Sequence, residues 1–94
     1  MRVDVRYLGL FRTTLKKGED EIELKNGSLF TELLDRLVEK YGEPLKKILA
    51  IKENILDPSF IATVNNITLD QLQGMKTKLN EGDRITLMII VSGG

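Results

Sequence analysis

The segment from Leu29 to Tyr41 limits the fold of this chain more than any other, because its apolar residues have the spacing of one long amphipathic helix. They recur four, three or one positions apart and so share one helical face: Leu29, Leu33, Leu34, Leu37, Val38 and Tyr41. Ser28 stands where a helix N-cap is expected, and Gly42 can adopt the left-handed conformation that ends a helix. The rest of the chain must therefore bury this face.

Short segments with alternating apolar and polar residues flank the helix and predict β-strands. Residues 2–7 alternate, and residues 21–25 alternate again after a turn at Lys17-Gly18, so these two strands form an antiparallel hairpin. Residues 60–64 and 67–69 form a second hairpin around the turn Asn65-Asn66. Residues 84–91 form the last strand.

This order of elements predicts an α+β fold of the β-grasp type. We expect a mixed sheet of four to five strands with one long helix across one face, in which the first and last strands lie side by side and parallel. The length of 94 residues predicts a single domain over residues 1–94, with a flexible C-terminal tail at 92–94.

The last strand is apolar on both faces toward its end. Ile85, Leu87, Ile89 and Val91 can be covered by the long helix, whereas Met88 and Ile90 point the other way. A single helix covers one face of a sheet, so these two side chains form an apolar patch beside the chain end, a candidate docking surface. The alternative is that residues 45–59, which contain a short helical turn, fold over this patch and bury it.

The sequence Ser92-Gly93-Gly94 follows this strand directly. Glycine has no β-carbon, so an extended Gly-Gly segment fits a channel that is too narrow for other residues. A terminal carboxylate is ionised at neutral pH and reacts poorly with nucleophiles. It becomes reactive after attack on the α-phosphate of ATP, which yields an acyl-adenylate, and a partner must supply everything else that this reaction needs.

Composition argues against several other functions. The chain has no cysteine and no histidine, which removes thiolate nucleophiles, the commonest general base and the commonest metal ligands, so we expect no metal site. Lys plus Arg and Asp plus Glu are both 14, so the basic surplus typical of nucleic-acid binding is absent. No signal peptide or membrane span is visible, which predicts a cytoplasmic protein. The carboxylates of Asp4, Glu21, Glu23 and Asp83 are interpreted as surface groups.

Several segments of the chain, taken in order, resemble those of the MoaD/ThiS family of ubiquitin-like sulfur carriers. The resemblance extends over nearly the whole chain. The resemblance lies in the opening strand and its turn, the helix, the hairpin at Val64-Asn65, the turn before the last strand and the Gly-Gly end. The stretch Met88 to Val91 lacks the prolines that many molybdopterin synthase small subunits carry before the final glycines. The stretch of residues 45–59 is longer than the corresponding stretch in the compact thiamine carriers.

The resemblance implies a carrier and not an enzyme. Gly94 would be adenylated by a ubiquitin-activating-enzyme-like adenylyltransferase that uses ATP, and converted to a thiocarboxylate; the chain itself would bind no cofactor. Ser92 and Gly93 would thread into partners, and Met88, Ile90 and Val91 would contact them. The leading pathway is molybdenum cofactor biosynthesis. In it the chain would act with the molybdopterin synthase large subunit and donate its sulfur to molybdopterin.

Three alternatives remain open from the sequence. The chain could modify lysines of target proteins or carry sulfur for thiamine or tRNA thiolation. It could be a β-grasp interaction module whose glycines have no chemical role. An enzyme is the third, but no nucleophile–base pair can be drawn.

Overall fold

The computed structural model describes residues 1–49 and 60–89 of the chain. Its helices and strands, in chain order, are β1 (Arg2–Gly9), α1 (Leu10–Leu15), β2 (Glu19–Glu23), α2 (Phe30–Tyr41), α3 (Glu43–Leu49), β3 (Phe60–Val64), β4 (Ile67–Thr68) and β5 (Arg84–Ile89). Two 3₁₀ turns, Leu69–Gln71 and Gly74–Lys76, lie between β4 and β5. None of the helices within these ranges is long and apolar enough to cross a lipid bilayer.

The five strands form one mixed sheet in the order β2-β1-β5-β3-β4. β1 pairs with β2 antiparallel and with β5 parallel, and β3 pairs antiparallel with both β5 and β4. The predicted parallel contact between the first and last strands is therefore confirmed, as is the β-grasp arrangement. β5 is the central strand, so the segment that leads to the chain end is held on both sides.

The core lies between the sheet and the helices. The strands alternate as predicted, with Val3, Val5 and Tyr7 of β1 and Ile85, Leu87 and Ile89 of β5 buried. α2 contributes Phe30, Leu33, Leu34 and Leu37 from the face that its spacing predicted. Gly42 ends α2 with a φ of 74° and donates its N–H to the carbonyl of Val38, as expected for a glycine at a helix end.

Three local expectations were wrong or incomplete. Residues 10–15 form the helix α1, where the sequence predicted only an interrupted strand and a turn. The predicted helical turn after Pro44 is the seven-residue helix α3, so in the described residues two short helices, α1 and α3, accompany the predicted long helix α2. Ser28 does not cap α2: its hydroxyl donates to the carbonyl of Lys25 at 2.7 Å, and Leu29 occupies the N-cap position.

Candidate functional site

The predicted site lies at and beyond the end of β5. Of its members the structure describes Met88, whereas Ile90, Val91 and the tail residues Ser92, Gly93 and Gly94 lie outside the described residues. The described residue nearest to the tail in sequence is Ile89, at the end of the described part of β5.

Gly9 and Ile89 form the last described pair between β1 and β5. A β-carbon on Gly9 would lie 2.4 Å from the carbonyl oxygen of Ile89, a distance that real β-carbons do not reach. Gly9 also has a φ of +60°, which side-chain-bearing L-residues rarely adopt. Glycine is therefore required twice over at the point where β1 ends and α1 begins beside the base of the tail.

An aromatic pair supports the same end of β5. Phe60 of β3 is the cross-strand partner of Ile89, and its ring meets the buried ring of Phe11 edge-on, with centroids 5.7 Å apart. Edge-to-face packing of this kind stabilises a core beyond simple burial. The end of β5 is thus held by β1, by β3 and by α1, which carries Phe11.

The sheet face opposite the core carries an apolar row formed by Leu8, Met88 and Ile61, which we call the outer apolar row. Met88 faces Leu8 across the β1–β5 pairing and Ile61 across the β3–β5 pairing. All three side chains are half-buried, yet none belongs to the core cluster or packs against it. Residues further from the tail on this face are polar, with Thr86 next to Met88 on β5 and Arg84 after it.

The sequence left open whether residues 45–59 bury this patch. The described part of that segment belongs to α3, which contacts α1 and α2 and places Leu45 and Leu49 in the core. It therefore packs on the helical side of the sheet and not on the outer apolar row. Residues 50–59 lie outside the described residues.

The start of β5 is held by side-chain hydrogen bonds from the β3–β4 turn. The side chain of Asn65 donates from Nδ2 to Oδ1 of Asp83 at 2.9 Å and accepts the N–H of Arg84 on Oδ1 at 3.0 Å. The other carboxylate oxygen of Asp83 accepts the N–H of Asn80 at 2.7 Å. The interpretation of Asp83 as a surface group was therefore wrong, because its carboxylate is buried and satisfied by the turn that it organises.

A buried carboxylate, Asp20, joins β1, β2 and α2. Its Oδ2 accepts hydrogen bonds from the hydroxyls of Tyr7, at 3.0 Å, and Tyr41. Its Oδ1 lies 2.9 Å from the ammonium groups of both Lys17 and Lys40. Only 4% of the Asp20 side chain is exposed. Four hydrogen-bond donors, two of them positively charged, compensate its removal from water.

This arrangement shifts the pKa values of all three acids in the cluster. Burial raises the pKa of Asp20, but the hydrogen bonds from Tyr41, Lys40, Lys17 and Tyr7 outweigh burial and hold that pKa well below its ordinary value. Burial, followed by the hydrogen bond to Asp20, raises the pKa of Tyr41 to about 12. The same two causes raise the pKa of Tyr7 far above its ordinary value. At neutral pH Asp20 is therefore ionised and both tyrosine hydroxyls are protonated.

The other carboxylates considered as acid or base groups are exposed to solvent, and two of them, Asp4 and Glu21, are cross-strand partners. Asp4, Glu21 and Glu23 are exposed on the outer face of β1 and β2, and Glu21 lies 3.6 Å from Arg2. Within residues 1–49 and 60–89, no group of three or more acidic, His or Cys side chains could hold a metal ion.

The sequence profile of the ThiS family matches residues 5–94, which is nearly the whole chain and includes its last residue. The chain belongs to the ThiS family. Carriers of this family are small non-catalytic proteins, so this ThiS-family chain is a ubiquitin-like sulfur carrier or modifier and not an enzyme. No curated protein matches it in sequence.

Solved structures with the same fold extend over almost the full chain. Small archaeal modifier protein 1 from Methanosarcina acetivorans is 24% identical, with 99% of this chain and 96% of that chain covered and a TM-score of 0.79. A chain of the BexX/CysO complex from Amycolatopsis orientalis is also 24% identical, with 98% and 99% covered and a TM-score of 0.74. A candidate molybdopterin converting factor subunit 1 from Pyrococcus furiosus is 22% identical, with 97% and 99% covered and a TM-score of 0.71. At these identities the similarity shows the fold.

Two features of the ThiS-family chain were not predicted from the sequence. Asp20 lies one position before the segment predicted as the second strand, although it is in phase with the inward-facing Ile22 and could have been found from that alternation. The role of Asn65 left no signal in the sequence beyond the turn itself, because its partner Asp83 is eighteen residues away.

Proposed function

We propose that the carboxylate of Gly94 is the working group of this chain. A ubiquitin-activating-enzyme-like adenylyltransferase binds ATP, and a carboxylate oxygen of Gly94 attacks the α-phosphorus, so that pyrophosphate leaves and an acyl-adenylate forms. Hydrosulfide then attacks the carbonyl carbon, AMP leaves with the adenylated oxygen, and a C-terminal thiocarboxylate remains. The partner supplies the metal and the phosphate-binding groups, and this chain needs no bound cofactor.

The position of β5 is the observation that carries this proposal. A strand at the centre of a sheet, paired on both sides up to Ile89, is a rigid base for the residues that follow it. Beyond it, Ser92, Gly93 and Gly94 carry small side chains or none, which suits threading into a narrow active site. The family profile extends to Gly94, which supports a shared role for this end.

The outer apolar row is the docking surface for the activating partner in this proposal. Met88 lies within the row, and Ile90 and Val91 continue β5 in sequence toward the tail, so that binding of the row and insertion of the tail are coupled. Half-buried apolar side chains that contribute nothing to the core gain from being covered by a partner. An apolar centre with polar residues further along the strand is the usual anatomy of such an interface.

For the acceptor of the sulfur, we propose molybdopterin, with the molybdopterin synthase large subunit as the second partner. The Pyrococcus furiosus candidate molybdopterin converting factor has the same fold, which is compatible with this choice. The second candidate is conjugation to lysines of target proteins. Small archaeal modifier protein 1, which also has this fold, is compatible with it. Both functions begin with the same adenylate at Gly94, in the cytoplasm.

Pyrophosphate exchange tests the adenylation step. The chain is incubated with an activating enzyme from the same cell, ATP and labelled pyrophosphate, beside a variant that lacks Gly94 and a variant with Gly74→Ala. Gly74 lies in a 3₁₀ turn outside the sheet and has a φ of +59° with no atom within 4 Å of an added β-carbon, so this variant controls both for loss of a glycine and for a small loss of stability. Exchange with the full chain and the Gly74 variant, and none without Gly94, is expected. Exchange with none of the three would leave the interaction module as the better account.

A further inference from the structure

The apolar pattern of β5 does not by itself fix the register of this strand. Its inward positions read Ile85, Leu87, Ile89 and then Val91 in sequence, so a slip of two residues replaces each buried aliphatic side chain with another. A slip of one residue is excluded, because it would turn the whole apolar set to the other face.

Of the two possible two-residue slips, burial permits one. A slip that lengthens the tail would move the carboxylate of Asp83 into the fully buried position of Ile85, which is costly. The opposite slip moves Leu87 to the position of Ile85 and draws two tail residues into the sheet. Since each residue of a strand spans about 3.3 Å, the tail would lose about 7 Å of reach.

The hydrogen bonds at Asn65 oppose this permitted slip. Asn65 makes three hydrogen bonds to the start of β5. Its side chain donates to the carboxylate of Asp83 and accepts the N–H of Arg84, and its own N–H donates to the carbonyl of Arg84 at 2.7 Å. The carbonyl of Asp83 in turn accepts the N–H of Asp4 at 2.9 Å on the β1 side. A two-residue slip would break the hydrogen bond between the side chains of Asn65 and Asp83, because Ile85 would take the place of Asp83 opposite Asn65.

We propose that Asn65 and Asp83 are positioning residues that set the reach of the tail. They select one of two registers that burial leaves nearly equivalent, and so fix how far Gly94 extends beyond the sheet. We call the selection of the register by Asn65 and Asp83 the register lock. The consequence for Gly94 rests on the proposed function, whereas the register lock itself does not.

Disulfide trapping measures the slipped register directly. In the observed register Thr63 lies opposite Thr86, and Met88 lies opposite Ile61, all on the outer face; after the slip Met88 lies opposite Thr63. The chain has no cysteine, so the double variant Thr63→Cys/Met88→Cys contains a single thiol pair. This diagonal pair has α-carbons about 7–8 Å apart before the slip, too far for a disulfide. Its rate of oxidation by oxidised glutathione, which is reduced to two glutathione molecules, therefore follows the slipped population.

Asn65→Gly and Asn66→Gly make a matched pair in this background. Both residues have positive φ, 52° and 69°, so glycine suits either position in the turn, but only Asn65 binds Asp83. We expect Asn65→Gly to raise the trapping rate about tenfold, because it removes the side-chain hydrogen bond to the Asp83 carboxylate that only the observed register can form, and Asn66→Gly to leave the rate unchanged. Equal rates in the two variants would overturn the proposal. Asp83→Asn, which puts an amide donor opposite that of Asn65, replaces Asn65→Gly if that variant does not fold.

The trapped proteins also test the link to Gly94. Pyrophosphate exchange is measured for Thr63→Cys/Met88→Cys when oxidised and again after reduction, beside Thr63→Cys/Thr86→Cys, which closes in the observed register. At saturating carrier, where weaker docking through the altered Met88 no longer limits the rate, we expect oxidation to lower exchange about tenfold or more in the slipped pair and to leave the other pair unaffected. Equal exchange by the slipped protein in both states would refute a role in reach. If the wild-type chain itself gives no exchange, the proposed function fails, while the trapping rates still decide whether the lock exists.

Discussion

The carbonyl oxygen of Ile89 lies so close to Gly9 that a β-carbon at residue 9 would be 2.4 Å from it. This contact lies at the last described pair between the parallel strands β1 and β5. The backbone of β1 then turns, at a φ of +60°, into α1. Gly9 thus pairs with β5, allows the turn from β1 into α1 and lies beside Ile89, the last described residue before the tail.

Gly9→Ala is expected to lower the free energy of unfolding by about 2–4 kcal/mol, because the methyl group meets a backbone atom and the positive φ is strained. Urea unfolding measures the loss. Gly27→Ala is the matched control, since Gly27 has a φ of +85° with no atom within 4 Å of the added β-carbon. It should cost about 1–2 kcal/mol, from the backbone conformation alone. Equal losses in the two variants would contradict a specific contact with Ile89.

The sheet and the long helix could be predicted from the sequence because both depend on repeated patterns. Alternation in residues 2–7 and 84–89 and the helical spacing of residues 29–41 each involve several side chains, so one exception does not obscure them. α1 could not be found in this way, because six residues with two threonines give little helical periodicity. Its formation depends on burial of Phe11, which is a tertiary contact.

Asp20→Asn is expected to lower the free energy of unfolding at neutral pH by about 3 kcal/mol, since two ammonium groups and two tyrosine hydroxyls lose their common charged acceptor. The effect should depend on pH. The pKa of Asp20 is lower in the folded protein than in the unfolded chain, so its contribution is complete above about pH 5 and declines as the pH falls below the unfolded value of about 3.9.

Urea unfolding of the wild type and of Asp20→Asn at several pH values isolates this contribution, because all other carboxylates are common to the two proteins. The difference in stability should shrink as the pH falls toward about 2.5. A difference that stays constant over this range would show that Asp20 does not carry the low pKa.

Alkaline pH should destabilise the protein through the tyrosines. Tyr7 and Tyr41 are its only tyrosines, and the pKa of each is higher in the folded protein, about 12 for Tyr41. Between about pH 10 and 12 the unfolded chain loses phenol protons that the folded protein keeps, so stability falls as the pH rises. Ultraviolet titration should show no tyrosinate near pH 10 in the native state. Ionisation of either residue at its ordinary pKa would mean that the bond to Asp20 is not formed.

Met88→Lys should weaken activation by the adenylating partner about tenfold or more, because it places a charge at the centre of the outer apolar row. Folding stability should change by no more than about 1 kcal/mol, since Met88 does not pack against the core. Thr63→Lys, on the same face one row away, is the control and should have a smaller effect. Pyrophosphate exchange at several carrier concentrations separates the two. Similar losses in both would indicate general charge repulsion and not a docking row.

The candidate site was only partly accessible from the sequence. The glycines of the tail and the apolar end of β5 are local features and could be recognised directly. The lock between Asn65 and Asp83 and the network around Asp20 join residues that are far apart in the chain, at separations of 13 to 21 residues. In the sequence alone these polar residues look like ordinary turn or surface residues, because the fold is needed to bring them next to their partners.

The central claim is that Gly94 receives sulfur on its carboxylate, and intact mass tests it most directly. The chain is incubated with the activating enzyme, ATP and sulfide, and its mass is recorded beside that of the variant lacking Gly94. The account predicts an increase equal to the replacement of one oxygen by sulfur, located in the C-terminal peptide and confined to the full chain. An unchanged mass in the presence of an enzyme that is active on another carrier would contradict it.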